Sequence, residues 1–202
     1  MKLSSTTKRH IESRLTFDYR LQFLQSGKNV ADYFTEFPAM KLPCVVLQEI
    51  SLMSLTSSTP DEFGILFADL IVKLKDMKSG LVYNDLDPVA IKLLSIVTSA
   101  FRESKQYIIP DSRDPKWPWP SVLTCTDVVE YYKVGLDGIH LIVTPNAIEA
   151  VILWTSLYHI FNIEFHKSIR KTNQFFDYIL YRKTCVDMEA AVKTLIKKLK
   201  IV

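Results

Sequence analysis

Between Pro145 and Asn162 the chain runs apolar on almost its whole circumference: Ala147, Ile148, Ala150, Val151, Ile152, Leu153, Trp154, Leu157, Tyr158, Ile160 and Phe161 leave only a few polar positions. A helix that is apolar all round must be covered on every side, by lipid or by the rest of the protein. Lipid is the poorer choice. Glu149, His159, Asn162 and Glu164 interrupt the stretch from Ala147 to Phe165, and a spanning helix needs about 20 residues with few or no charges. The sequence therefore predicts a central buried helix over 145–162, opened by Thr144 as cap and Pro145 as first residue.

The segments before it supply the cover. Ile11, Leu15, Tyr19 and Phe23 recur every four residues and predict a helix over 6–26 stopped by Gly27, with these four on its buried face. Short helices fit Val30–Glu36 and Pro43–Met53, separated by Pro38. The run from Thr56 to Pro60 is a loop. Thr59-Pro60-Asp61-Glu62 has the composition of a helix start, followed by the stripe Phe63, Leu66, Phe67, Leu70 and Leu74 and closed by Ser79-Gly80. Asp87-Pro88 opens another helix, with Val89, Leu93, Ile96, Val97 and Ala100 inward, to about Ser104.

The period changes at 110–120, PDSRDPKWPWP, where four prolines forbid a helix. Beyond it, Ser121–Thr126, Val128–Val134 and Ile139–Val143 read as strands, the last two joined by a hairpin turn at Gly135-Leu136-Asp137-Gly138. Tyr107–Ile109 is a further short strand. After the apolar helix, two more helices fit 166–182 and 187–200. In the second, Met188, Ala191, Val192, Leu195, Ile196 and Leu199 face inward and Lys193, Lys197, Lys198 and Lys200 outward. The expected fold is α+β: predominantly helical, with one small antiparallel β-sheet at about 107–143 packed on the buried helix 145–162. A mild boundary near 78–86 divides a helical region, 1–80, from an α+β region, 81–202, with a basic C-terminal helix; one continuous domain accommodates the same pattern.

Chemistry is less legible. The cysteines, Cys44, Cys125 and Cys185, are far apart and unpaired in pattern, so they read as free thiols in a reducing compartment, with no zinc or disulfide framework. No apolar leader follows the first Met, and the expected location is intracellular, cytoplasmic or nuclear. No phosphate-cradling Gly-rich loop and no nucleophile elbow is present. Loop acids such as Asp85 with Asp87, or Asp111 with Asp114, read as turn and cap residues. His159 and His166, seven apart, share a helix face only if the helix runs on. No catalytic, metal or cofactor residues are assigned, and no cofactor is called for.

Two surfaces remain. From residue 163 onward nine Lys/Arg stand against four Asp/Glu, an excess of +5, while the preceding residues sum to −2 in a chain of net +3. Arg170, Lys171, Arg182, Lys183, Lys193, Lys197 and Lys200 are candidate phosphate or partner contacts. Trp117 and Trp119, in the Pro-rich segment, are candidate partner anchors.

Several motifs carry a resemblance. Residues 11–20, I-E-S-R-L-T-F-D-Y-R, followed by Ala31 to Ala39, A-D-Y-F-T-E-F-P-A, are similar to a "T-F-x-x-R-R" helix preceding "E-Y-P-A-L". Residues 119–126, W-P-S-V-L-T-C-T, resemble a "Y-P-T-L-L-C-T-G" strand. Residues 157–165, L-Y-H-I-F-N-I-E-F, resemble "S-F-Y-V-F-N-I-E-Y", and 170–180 continue as its "T-L-x-F-x-Q" helix. These motifs occur in a family of uncharacterised animal proteins, abundant in fish and often described as sterile-alpha-motif-domain-containing-like. The resemblance spans roughly 10–184. No sterile alpha motif is present. The resemblance implies a multicopy, mobile-element-derived gene and assigns no activity. The expected function is a non-enzymatic protein-interaction or self-association module, whose partner is another protein or a second copy. The alternative is a nucleic-acid-associated protein of mobile-element origin that uses the basic C-terminal face. A membrane is not an expected partner.

Overall fold

The computed structural model describes residues 16–53, 55, 58–110, 117–125, 130–182 and 187–201. Among them the chain forms eight α-helices: α1 (Phe17–Gln25), α2 (Val30–Glu36), α3 (Pro43–Leu52), α4 (Pro60–Met77), α5 (Val89–Phe101), α6 (Ala147–Ile160), α7 (Arg170–Tyr181) and α8 (Ala190–Leu199). A three-stranded antiparallel sheet, β1 (Ser121–Cys125), β2 (Tyr131–Leu136) and β3 (Ile139–Thr144), lies between α5 and α6 in the chain, its strands side by side in chain order. The α+β expectation is met, with helices dominant. No helix among the described residues is long and apolar enough to cross a membrane.

The apolar helix is the hub. In α6 every residue from Ala150 to Tyr158 is buried, and α3, α4, α5, α7 and all three strands pack on it. Its Trp154 is fully buried, and the indole N–H donates to the Pro120 carbonyl at 3.1 Å, so this large ring enters the core without an orphaned polar atom. The strands lay Val122, Val134 and Ile142 in register across the sheet, all three fully buried. On the opposite face Val143 remains half exposed. Tyr33 and Phe34 of α2 close on Phe161 just past α6, with ring centroids 5.1 and 5.8 Å away. Segments 31–39 and 157–165 thus meet in space, in a packing role.

Helix starts follow local chemistry. Asn29 with Asp32, and Thr59 with Glu62, form reciprocal capping boxes at α2 and α4. The start of α6 differs from expectation: Thr144 ends β3, buried, with its hydroxyl on Glu149, and Asn146 caps the helix by accepting from the Ile148 and Glu149 amides. Strand pairing claims Thr144 first, and the helix begins two residues after Pro145.

Three helices carry their apolar stripes to the end but stop short of the expected bounds at 104, 182 and 200, each where a residue other than glycine enters the left-handed region: Arg102 after α5, Arg182 after α7 and Lys200 after α8. The segment 166–182 splits into a 3₁₀ turn, Lys167–Ile169, and α7. In place of the expected strand at Tyr107–Ile109 there is a 3₁₀ turn, Lys105–Tyr107, after which the Ile108 carbonyl accepts from the Val122 amide of β1 at 2.8 Å. The hairpin turn is shorter than expected. Gly135 and Leu136 belong to β2, and Asp137 and Gly138, both at positive φ, make the two-residue turn that matches strand twist. Tyr19 is 52% exposed rather than buried, and Ala191 is exposed on α8. Residues 1–15, the Asp111 and Asp114 pair, Thr126, Val128, Val129 and Cys185 lie outside the described residues.

Candidate functional site

The expected basic face divides in three. Lys193 and Lys197 are exposed on α8 with Lys198 beside them, while Lys200 leaves the helical stripe as its left-handed cap. Arg170 and Arg182 are exposed at opposite ends of α7. Lys171 is drawn inward. Its ammonium sits 3.9 Å from both the Glu103 and Glu189 carboxylates. Glu103 in turn caps α7, accepting from the Lys171 and Thr172 amides at 3.0 and 2.9 Å and from the Thr172 hydroxyl at 2.7 Å. A carboxylate at a helix N-terminus is favourably placed against the helix dipole, so Lys171 and Glu103 serve the fold. Lys183 lies outside the described residues.

Across from α8, α4 carries the opposite charge. Its buried side is Phe63, Phe67, Leu70, Ile71 and Leu74. Its outer side presents Ile65, 76% exposed, and Val72, 58% exposed, among exposed Asp61, Glu62, Asp69 and Asp76. Lys73 pairs with Asp69 at 2.7 Å. The two helices are neighbours: α8 packs on α4 as well as on α7. An acidic helix with two bare aliphatic side chains therefore lies beside a lysine-rich one.

Trp117 and Trp119 join residues distant in sequence. Their rings stack 5.4 Å apart at 25°, and Trp119 stacks on His166 at 4.1 Å and 24°. Tyr107 stacks on His166 at 5.2 Å and approaches both indoles. The Trp119 N–H donates to the Tyr107 carbonyl at 3.1 Å, and the Trp117 carbonyl accepts from Gly138 of the hairpin turn at 3.2 Å. All four rings are half-buried. Residues 105–107 and 167–169, two 3₁₀ turns in contact, hold the cluster together. An open cavity of about 560 Å³ adjoins Lys105, with Arg102, Thr98, Ser99, Asn84 and Val82 among its walls.

His159 and His166 part company because α6 stops at Ile160 and Asn162 turns left-handed. His159 instead bonds Asp177 of α7 and meets the Tyr181 ring edge-on at 4.9 Å. The Tyr181 hydroxyl contacts Thr155 at 2.8 Å and Ser156 at 3.1 Å, and its burial pushes its pKa well up. This group resembles a hydrolytic constellation in composition only. Ser156 is wholly buried and its hydroxyl donates to the Ile152 carbonyl at 2.7 Å, so the cluster clamps α6 to α7. Spacing hinted at half of it, with Ser156 and His159 three apart on one helix; Asp177 and Tyr181 are reached only through the packing of α7.

A buried ion pair gave no sequence signal. Arg20 of α1 and Glu49 of α3 are 3% and 1% exposed, and the guanidinium grips the carboxylate through Nε, at 3.1 Å to Oε1, and through Nη2. Burial raises the Glu49 pKa, and Arg20 opposes that rise. Among the described residues no three His, Cys, Asp or Glu side chains come together as a metal site. Cys44 is exposed and Cys125 half-buried, both free thiols. No family model matches the chain, and neither a curated protein nor a solved structure matches it.

Proposed function

We propose that this chain is a non-enzymatic self-association module whose contact face is formed by α4 and α8. The observation that carries this is the juxtaposition of the two helices: Ile65 and Val72 exposed among Asp61, Asp69 and Asp76, next to Lys193, Lys197 and Lys198. An isologous dimer sets the same patch on both copies against itself. A face with an acidic half and a basic half is complementary to its own two-fold image, with α4 of each copy opposite α8 of the other. The aliphatic pair supplies apolar area at the centre, and the charges supply register and encounter rate.

Light scattering during size-exclusion chromatography, over a concentration series, tests this. The expected result is a dimer that weakens with added salt. Asp69→Lys and Lys197→Glu variants are each monomeric and form a mixed dimer when combined. A chain that stays monomeric at high concentration and low salt sinks the proposal.

A nucleic-acid-associated protein of mobile-element origin is the second reading. It is supported by the exposure of Arg170, Arg182, Lys193, Lys197 and Lys200, which suits phosphate contacts whose strength falls with salt.

A further inference from the structure

The aromatic cluster offers what the linear sequence lacks: rings and cations brought together. We infer that Trp117, Trp119, Tyr107 and His166 form a stacking platform for an unpaired base of single-stranded nucleic acid, with phosphates held by Lys105, Lys167 and Arg170. This rests on the second reading above and moves its centre away from α8.

Three features support it. First, the rings are arranged as a series. Trp119 is shared between Trp117 and His166 at interplanar angles of 25° and 24°, which leaves Trp117 at the end, in ring contact only with Trp119 and Tyr107 among the described residues. A base laid on the outer face of Trp117 extends the series, and any of the bases provides the π-face. Second, the rings are held before any ligand arrives. The Trp119 indole is tied to the Tyr107 carbonyl, and the Trp117 backbone is tied to the hairpin turn at Gly138. Ordering done in the free protein need not be done on binding. Third, the cations flank the rings. Lys105 shares a turn with Tyr107, and Lys167 follows His166 at the head of the turn that leads into Arg170. Lys167 and Arg170 are exposed and Lys105 half-exposed, and Lys105 and Arg102 border the open 560 Å³ cavity. The neighbouring buried carboxylate, Glu103, is already engaged by the start of α7.

A protein partner would also find an aromatic anchor here. Lys105, Lys167 and Arg170 outnumber the exposed acids beside the rings, Glu164 and Asp137, which favours a polyanion, and stacked rings flanked by lysines favour one with bases.

The test is tryptophan fluorescence with single-stranded oligonucleotides of about eight nucleotides, DNA and RNA, over a range of salt. Trp154 is fully buried and gives an unquenched background. The expected result is saturable quenching that weakens as salt rises. Affinity falls at least roughly tenfold in Trp117→Ala, is largely restored in Trp117→Phe, and falls with a shallower salt slope in the Lys105→Glu/Lys167→Glu variant. Thermal melts establish that each variant is folded. Heparin, a polyanion without bases, binding as tightly as the oligonucleotides and insensitive to Trp117→Ala overturns the platform. So does oligonucleotide binding that survives these changes and disappears in Lys193→Glu/Lys197→Glu/Lys200→Glu, an outcome that leaves the second reading standing. Absence of binding at low salt removes both.

Discussion

Arg20 and Glu49 are 29 positions apart, and nothing around either announces a buried partner. Their pairing shows how much a single residue can depend on tertiary packing. Two charges taken out of water must satisfy each other, and removing one leaves the other uncompensated. Arg20→Ala is therefore expected to lower stability by about 3–5 kcal/mol at neutral pH, measured by denaturant unfolding. The pH dependence follows from the raised Glu49 pKa. A carboxyl whose folded pKa lies above its unfolded value favours the fold most at acid pH and loses that contribution as pH rises through the folded pKa. The deficit of Arg20→Ala is thus largest above the folded pKa of Glu49 and shrinks toward acid pH, where the lone carboxyl is protonated. Replacing both, as Arg20→Met/Glu49→Leu, recovers most of the loss because no charge remains buried. A single variant whose deficit does not change with pH would show that Arg20 acts through packing alone.

At the scale of elements, local patterning found the helices and strands but misplaced many of their ends. Helix interiors are periodic, so their apolar stripes are legible; the stops of α5, α7 and α8 each depend on one residue adopting positive φ, and Arg102, Arg182 and Lys200 do so without being glycine. Helix ends set by packing carry no composition signal. The hairpin is legible as a turn, since Asp137-Gly138 has the composition for it, although β2 runs on through Gly135 and Leu136. Two glycines in regular elements make contrasting predictions. A Cβ on Gly135, where β2 shifts register against β3, would meet the Ile139 carbonyl oxygen at 2.9 Å. Backbone held in a hairpin cannot withdraw, and Gly135→Ala is expected to cost about 1–3 kcal/mol. A Cβ on Gly64 of α4 would meet the tip of Ile148 at the same 2.9 Å. That methyl can rotate away, and alanine gains roughly 0.5–1 kcal/mol in a helix interior. Gly64→Ala should therefore lie within about 1 kcal/mol of the parent. Paired thermal or chemical melts separate the two cases, and equal losses would contradict this account.

For the whole molecule, a boundary at 78–86 is readable in the sequence, yet the buried core passes through it. Phe67 of α4 meets Phe176 of α7, and α3, α4 and α5 all pack on α6. One continuous apolar cluster contains residues from Tyr33 to Leu199. The chain is expected to unfold in a single cooperative transition, with coincident curves from circular dichroism and Trp154 fluorescence. Limited proteolysis within 78–86 of the intact chain gives an independent check: the two pieces should stay associated until denatured, and a stable free piece would favour the two-region division. The sequence by itself determined the class, because a helix apolar on all sides demands cover and alternating β-branched runs flanking a turn demand a hairpin. Its functional candidates, Trp117, Trp119 and the C-terminal cations, were legible as residue types. Tertiary structure alone decided which of them meet. It put His166 and Tyr107 against the two tryptophans, locked Lys171 between two carboxylates, and set acidic α4 beside basic α8. Periodicity encodes what each element buries, but encounters between side chains far apart in the chain are fixed only when the elements pack.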